Sequence, residues 1–342
     1  MIKNLVKKSV LNLKPYICAR HLYKEGILLD ANENSFGSVV GKNLNRYPDP
    51  ECQSLKTKLA EVLNVKVENL LIGSGSDEII DLLMRVFLEK NDEVILLEPT
   101  YGMYRVAAEI NESKIKVCNL DENFQINLAE LNKTMTNKSK LIFCASPNNP
   151  TGNLLKKSDL LSICKTFKGL LIIDEAYIDF AAKESVINEL NNFPNLVVLR
   201  TFSKAWGLAG LRVGYAIANP EIINFLRKVK PPYNINTLSA NLVLAALNKP
   251  KKLNEFIKKI QKEKTNLILQ LKKLSFEIYP SDANFILLKS PKAQYICRKL
   301  ATDFKIIIRD FSDKPGLKNC FRITIGTAAQ NKLLINSLKK II

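Results

Sequence analysis

From residue 53 onward the chain alternates short, unbroken apolar runs with segments of helical spacing. Leu55, Leu59 and Leu63 recur at four-residue intervals in QSLKTKLAEVLN, which predicts an amphipathic helix over 53–64. LLIG (70–73) reads as a short strand. The following SGSDEIIDLLMRVFL reads as a helix capped by Ser76 or Asp77, with Ile80, Leu83 and Phe87 on its apolar face. EVILLE (93–98), KIKVCNL, KLIFCAS (140–146), GLLIIDEAY (169–177) and the run 195–201 are then read as strands. Between them, EPTYGMYRVAAEI, NLAELNK and SDLLSICKTF have helical character. Strands that are apolar throughout, rather than alternating, belong to a sheet covered on both faces. The predicted class is therefore α/β, a mostly parallel sheet sandwiched by helices, which binds ligands at the carboxyl ends of its strands.

The two ends read differently. Residues 1–45 show no sustained period and lead into RYPDP (46–50), whose two prolines break regular structure. This stretch is read as an extended arm that crosses the surface or reaches a partner subunit. After residue 220 the pattern turns helical, and Asn248-Lys-Pro250 interrupts it. A long amphipathic helix (about 251–273) then leads into FEIYP, ANFILLKS, a helix (291–301), KIIIRD, CFRITIG and a last helix. The expected organisation is an arm (1–45) that forms part of a small domain and a dimer contact, a large domain (46–250) and a small α+β domain (251–342).

Composition narrows the classes. With 46% hydrophobic and 25% charged residues, the chain has the make-up of a soluble globular protein. No apolar run approaches the ~18 residues of a membrane span, and MIKNLVKKSVLNLKPY lacks the clean apolar stretch of a signal peptide. Lys plus Arg number 51 against 33 Asp plus Glu, a net charge of +18. The lysines are dispersed and no aromatic-studded basic motif accompanies them, so no nucleic-acid partner is expected; a positive field does favour anionic substrates. Seven cysteines without a C-x-x-C pair point to reduced thiols in a cytoplasmic protein and to no zinc site. His21 is the only histidine, and beside Arg20 and Lys24 it makes a poor base, which disfavours serine-histidine and histidine-metal chemistry.

Four segments carry candidate chemistry. In TFSKAWGLAGLRVGY (201–215), Lys204 stands where the chain turns sharply off a strand. Desolvation and cationic neighbours there favour the neutral amine that condenses with an aldehyde. Ser203 and Arg212 add a hydroxyl and a guanidinium suited to a phosphate dianion. Asp174 follows four buried apolar residues in IIDEAY, where a carboxylate needs a partner. SPNNPTG (146–152) is a strand-end loop, and GSGSDE (73–78) offers free N–H groups at a helix start, a natural phosphate seat. Singly, each also reads as something plainer: a solvated lysine, a helix cap, an Asn-Pro turn.

Together, the strand-end Asp174, Lys204 thirty residues on with Ser203 and then Arg212, the upstream N-P-T-G loop and the Gly-Ser-Asp helix start resemble the fold type I aminotransferases. Within them the chain looks most like the histidinol-phosphate aminotransferase family. The matching segments are PY (15–16), LLDANEN, NRYPDP, GSGSDEIIDLL, EPTYGMY, SPNNPTG, DEAYIDF, TFSKAWGLAGLRVGY, IIIRD and CFRITIGT, in order over nearly the whole chain. The resemblance implies pyridoxal 5′-phosphate as cofactor, held through Lys204, which then serves as general base, with Asp174 on the pyridine nitrogen. Asn149 and Tyr177 would bond the ring oxygen and Tyr101 would stack on the ring. Ser76, Asp77, Ser203 and Arg212 would hold the phosphate. It also implies a homodimer in which Tyr47 reaches the neighbouring subunit's cofactor phosphate. Arg322, with Arg309 and Tyr16, would bind substrate. The implied reaction exchanges amino groups between L-histidinol phosphate with 2-oxoglutarate and imidazole acetol phosphate with L-glutamate. Gly-Ser-Asp stands where relatives often carry Gly-Ala-Asp, a harmless change where backbone amides do the binding. Three alternatives stay open: an aromatic amino-acid aminotransferase, a phosphothreonine-type decarboxylase, and a non-enzymatic pyridoxal-phosphate-bound regulator or nucleic-acid binder.

Overall fold

The computed structural model of the 342-residue chain describes residues 2–23, 25–41 and 44–342. Seven of its strands form one sheet: β1 (Leu70–Gly73), β2 (Glu93–Glu98), β3 (Lys114–Asn119), β4 (Ser139–Ala145), β5 (Leu170–Asp174), β6 (Leu196–Thr201) and β7 (Gly214–Ala218). Their order is β1-β7-β6-β5-β4-β2-β3. β2 to β6 run parallel, and β7 is the one strand that opposes its neighbours on both sides. Both faces are buried, because successive residues of each central strand feed different cores. Ile142, Ile173 and Val198 pack on one side; Leu141, Phe143, Ile172 and Val197 pack on the other. This is why the strands read as unbroken apolar runs.

A second sheet, β10-β11-β9-β8, is antiparallel throughout and comprises β8 (Glu277–Ile278), β9 (Phe285–Lys289), β10 (Arg309–Asp310) and β11 (Cys320–Thr324). Its core joins Leu288, Phe321 and Ile323 to Leu267 of the long helix Pro250–Lys272 and Leu338 of the last helix. Only Arg309 and Asp310 of KIIIRD are in a strand, because that edge strand pairs on one side alone.

The reading that joins the N-terminal arm to the small domain is corrected for residues 2–11. Ile2, Val6 and Val10 are buried against Leu82 and Val86 of the helix Gly75–Phe87 and Leu226 of the helix Pro220–Val229, in the large-sheet core. Lys7 N also donates to Val86 O at 2.8 Å. The spacing of Ile2, Val6 and Val10 by four residues builds an apolar stripe that this surface covers.

Two buried polar networks fix the strand ends. Glu175, next to Asp174, pairs with Arg200 of the adjacent strand: Arg200 Nη2 and Nε lie 2.7 and 2.9 Å from Glu175 Oε2. Ser185 Oγ (2.8 Å to Oε2) and Val186 N (2.8 Å to Oε1) satisfy the rest of that carboxylate. In the loop after β4, Asn148 Nδ2 donates to Pro99 O and Thr151 Oγ1, each at 2.8 Å, and Thr100 Oγ1 donates back to Asn148 Oδ1 at 3.0 Å. A buried, fully bonded network specifies one arrangement. Here it ties the loop carrying Asn149 to the loop carrying Tyr101. Among the described residues, no helix is long and apolar enough to cross a membrane, and all seven cysteines are free.

Candidate active site

The carboxyl ends of β1, β2, β4, β5 and β6 converge on a cleft open to solvent. Nine of the residues singled out in the sequence line it: Ser76, Asp77, Tyr101, Asn149, Asp174, Tyr177, Ser203, Lys204 and Arg212. Asp174 sits on its floor, 5% exposed. Tyr104 Oη donates to its Oδ2 at 2.8 Å and Ala176 N to its Oδ1 at 3.0 Å. Burial outweighs these donors and pushes the Asp174 carboxyl up to about 6.

Lys204 follows β6 in the turn closed by Gly207 N to Lys204 O at 3.0 Å. Its side chain is open to the cleft yet walled by protein, and its Nζ lies 5.3 Å from the centre of the Tyr177 ring. Desolvation first, then the Arg322 and Arg212 guanidiniums, lower its pKa, against the opposing pull of Asp174 and Asp77. The amine is thus shifted toward its nucleophilic form. Tyr177 is pushed up to about 12 by burial, so its phenol stays a hydrogen-bond donor at neutral pH.

One end of the cleft is an anion seat. The helix Gly75–Phe87 begins there, and the N–H groups of its first turn have no intrahelical acceptor. The cap is Ser74, not Ser76 or Asp77: with Gly75 at φ +75° the helix starts two residues earlier than a Ser76 cap would set it, which places Ser76 and Asp77 inside its first turn. Ser74 contributes its backbone N, which donates to Glu78 Oε2 at 2.6 Å. Arg212 is in the left-handed region (φ 52°), which brings its Nη1 to 3.5 Å from Ser203 Oγ and its Nη2 to 3.3 Å from Asp77 Oδ2. A Cβ on Gly75 would stand 2.6 Å from Arg212 Nη2, and one on Gly214 would collide with Ser76 N. Both glycines keep this seat clear.

Arg322 enters from β11, and its Nη1 donates to Asn149 Oδ1. The guanidinium carbon lies 4.9 Å from the Phe285 ring centre and 5.3 Å from that of Phe311, which hold the group in place. Arg309 stands directly opposite Arg322 across the β10–β11 pair. Among the described residues no carboxylate pairs with either arginine, and their mutual repulsion together with burial lowers the Arg322 pKa.

Two candidates lie elsewhere on this chain. Tyr16 is 74% exposed beside His21 and Arg227, and Tyr47 is half-exposed, its ring stacked 4.4 Å from that of Tyr233. Tyr16 is on the arm and Tyr47 is in the RYPDP segment that follows it, and neither lines the cleft of its own chain. Tyr104, buried and bonded to Asp174, is a site residue that the sequence reading passes over. Its only signal is a tyrosine, not a phenylalanine, on the inward face of a short helix.

Residues 24–338 match the family model described as aminotransferase class I and II. The histidinol-phosphate aminotransferase of Cytophaga hutchinsonii is 43% identical over 99% of this chain and 98% of its own length. That of Flavobacterium psychrophilum is 44% identical over the same shares. Among solved structures, the histidinol-phosphate aminotransferase of Sinorhizobium meliloti in complex with pyridoxal-5′-phosphate superposes with a TM-score of 0.83. It has 26% identity to this chain and covers 91% of this chain and 89% of its own.

Proposed function

The chain belongs to the class I and II aminotransferase family, and from that premise we propose that it exchanges amino groups between L-histidinol phosphate with 2-oxoglutarate and imidazole acetol phosphate with L-glutamate, in histidine biosynthesis. The cleft suits pyridoxal 5′-phosphate on its own chemistry. It combines a lysine with a lowered pKa, a buried carboxylate with no ion-pair partner among the described residues, and an anion seat kept clear by Gly75 and Gly214. Bound pyridoxal phosphate supplies an aldehyde that takes up amino groups and a ring that accepts the electron pair freed at the substrate Cα.

The chain's own residues do the rest. The first-turn amides of Ser76 and Asp77, with Ser203 and Arg212, hold the phosphate. Asp174, as a carboxylate, would pair with the ring nitrogen and keep it protonated. Asn149 and Tyr177 bond the ring oxygen, and Tyr101 is held by Asp77 (Oη to Oδ1, 3.1 Å) to cover the ring face. Lys204 would hold the aldehyde through its amine and would serve as the base that takes the proton from the substrate Cα.

The observation that carries the substrate assignment is the pair Arg309 and Arg322, opposite each other across β10 and β11 and without a counter-ion among the described residues. Two guanidiniums suit a phosphate dianion in one half-reaction, and Arg322 suffices for the glutamate α-carboxylate in the other. A coupled turnover assay should rank histidinol phosphate well above phenylalanine, with no carbon dioxide from phosphothreonine. Preference for phenylalanine, or evolved carbon dioxide, would contradict this reading. Arg309→Ala should raise KM for histidinol phosphate by about ten- to a hundredfold, the loss of a charge-assisted contact. Equal losses for histidinol phosphate and glutamate would remove Arg309 from that role.

The reading includes a cytosolic homodimer with shared active sites, in which the partner's copy of the arm brings its tyrosines to this cleft. Tyr16, Ile27, Phe36 and Val39 are all strongly exposed, a concentration of apolar surface that favours burial against another chain. Light scattering should give twice the 38.6 kDa chain mass; a fully active monomer would contradict it.

A further inference from the structure

Tyr104 lies in the helix Met103–Ile110 and is wholly buried. Its ring stacks on Phe143 (centroids 5.0 Å, 28°) and meets Tyr101 edge-on (5.6 Å, 85°). A phenylalanine would fill that space as well and would leave no phenol needing a partner. The hydroxyl instead points at Asp174 Oδ2, 2.8 Å away, and is the one side chain among the described residues that hydrogen-bonds this carboxylate.

We propose that Tyr104 is a positioning residue for the cofactor: its hydroxyl holds Asp174 ionised and turned toward the ring nitrogen. The inference rests on the pyridoxal-phosphate assignment and is independent of which amine is the substrate. A carboxylate buried on the floor of the cleft is costly to ionise, and a donor on one oxygen offsets part of that cost. The other groups facing Asp174 do not do this work alone. The Lys204 ammonium favours the ionised form but is itself driven toward neutrality, and Asp77 opposes ionisation. Tyr101 and Tyr177 are held as neutral phenols, and the Cys144 thiol behind Tyr104 is held neutral by burial. Arg200, on the neighbouring strand, is committed to Glu175.

Without the hydroxyl, Asp174 takes up a proton at higher pH, and a protonated Asp174 cannot pair with a protonated ring nitrogen. The deficit therefore has a particular shape. It is largest where the carboxylate titrates and vanishes where the carboxylate is ionised in both proteins. The test is the dissociation constant of pyridoxal phosphate from the apoenzyme, measured from about pH 5.5 to 9 for wild type, Tyr104→Phe, Asp174→Asn and the double variant. Tyr104→Phe should bind about tenfold more weakly at the acid end, the value of one hydrogen bond to a charged group, and within about twofold of wild type at the alkaline end. On the Asp174→Asn background the same substitution should change nothing beyond about twofold. A deficit that is the same at every pH, one that persists in the double variant, or none at the acid end would overturn the proposal. Wild type that fails to bind the cofactor at any pH would instead sink the assignment beneath it.

Discussion

Lys204→Ala should lower turnover by about four orders of magnitude, in the range set by loss of a positioned general base, while the protein stays folded. The Lys204 side chain makes no ion pair or side-chain hydrogen bond among the described residues. Its Nζ lies 5.3 Å from the centre of the Tyr177 ring. Truncation therefore leaves no buried group unsatisfied, and the loss should fall on chemistry. The turn that presents the amine is made by backbone, Gly207 N to Lys204 O and Phe202 N to Val213 O, both at 3.0 Å, and survives the change. Steady-state turnover with circular dichroism as a fold control checks this. Retained activity above a few per cent of wild type would show that another group moves the proton.

Asp174→Asn should have the second largest effect, a loss on the order of a hundred- to a thousandfold in turnover, comparable to removing a preorganised charge partner from a developing charge. The amide fills the same space and can still accept the Ala176 N–H (3.0 Å to Oδ1), but it cannot keep a ring nitrogen protonated. The same substitution should stabilise the apoprotein. Burial raises the Asp174 carboxyl from 3.8 to about 6, so ionising it in the folded protein costs about 3 kcal/mol relative to the unfolded chain. A raised folded pKa means that the native state is fully favoured below the unfolded value. It loses that advantage as pH climbs through about 6. The melting temperature of apo Asp174→Asn should therefore exceed wild type at pH 8 and converge with it near pH 4. The site holds this strain for function, a cost relieved when a cation meets the carboxylate.

Much of this architecture is legible in the amino-acid order because each central strand is buried on both faces. Apolar runs such as LIFCA (141–145) and LLII (170–173) admit few other readings once helices intervene. The chemistry-bearing residues are legible for a related reason: in such a sheet polar groups at strand ends have nowhere to point but the shared crevice, as Asp174 and Asn149 do. Where legibility fails, the cause is particular. Ser76 and Asp77 are suitable caps by residue type, but Gly75 takes the left-handed conformation and the helix starts two residues sooner than a Ser76 cap would set it. Ile2, Val6 and Val10 have the spacing of a packed stripe, yet a stripe among lysines does not announce which surface covers it. Tyr104 is hidden because an inward-facing tyrosine and an inward-facing phenylalanine look alike until the acceptor, seventy residues away in the chain, is placed beside it. Tyr16 and Tyr47 lie outside their own chain's cleft; under the proposed homodimer they would serve the partner's.

The central claim is that one amine, Lys204, takes up the cofactor aldehyde. Borohydride reduction of the holoenzyme followed by peptide mapping tests it directly. The account predicts a single pyridoxyl-modified lysine, in the peptide containing Thr201-Phe-Ser-Lys204, and no modification in Lys204→Ala. Modification of any other lysine in its place, or an unmodified wild-type peptide, would contradict it.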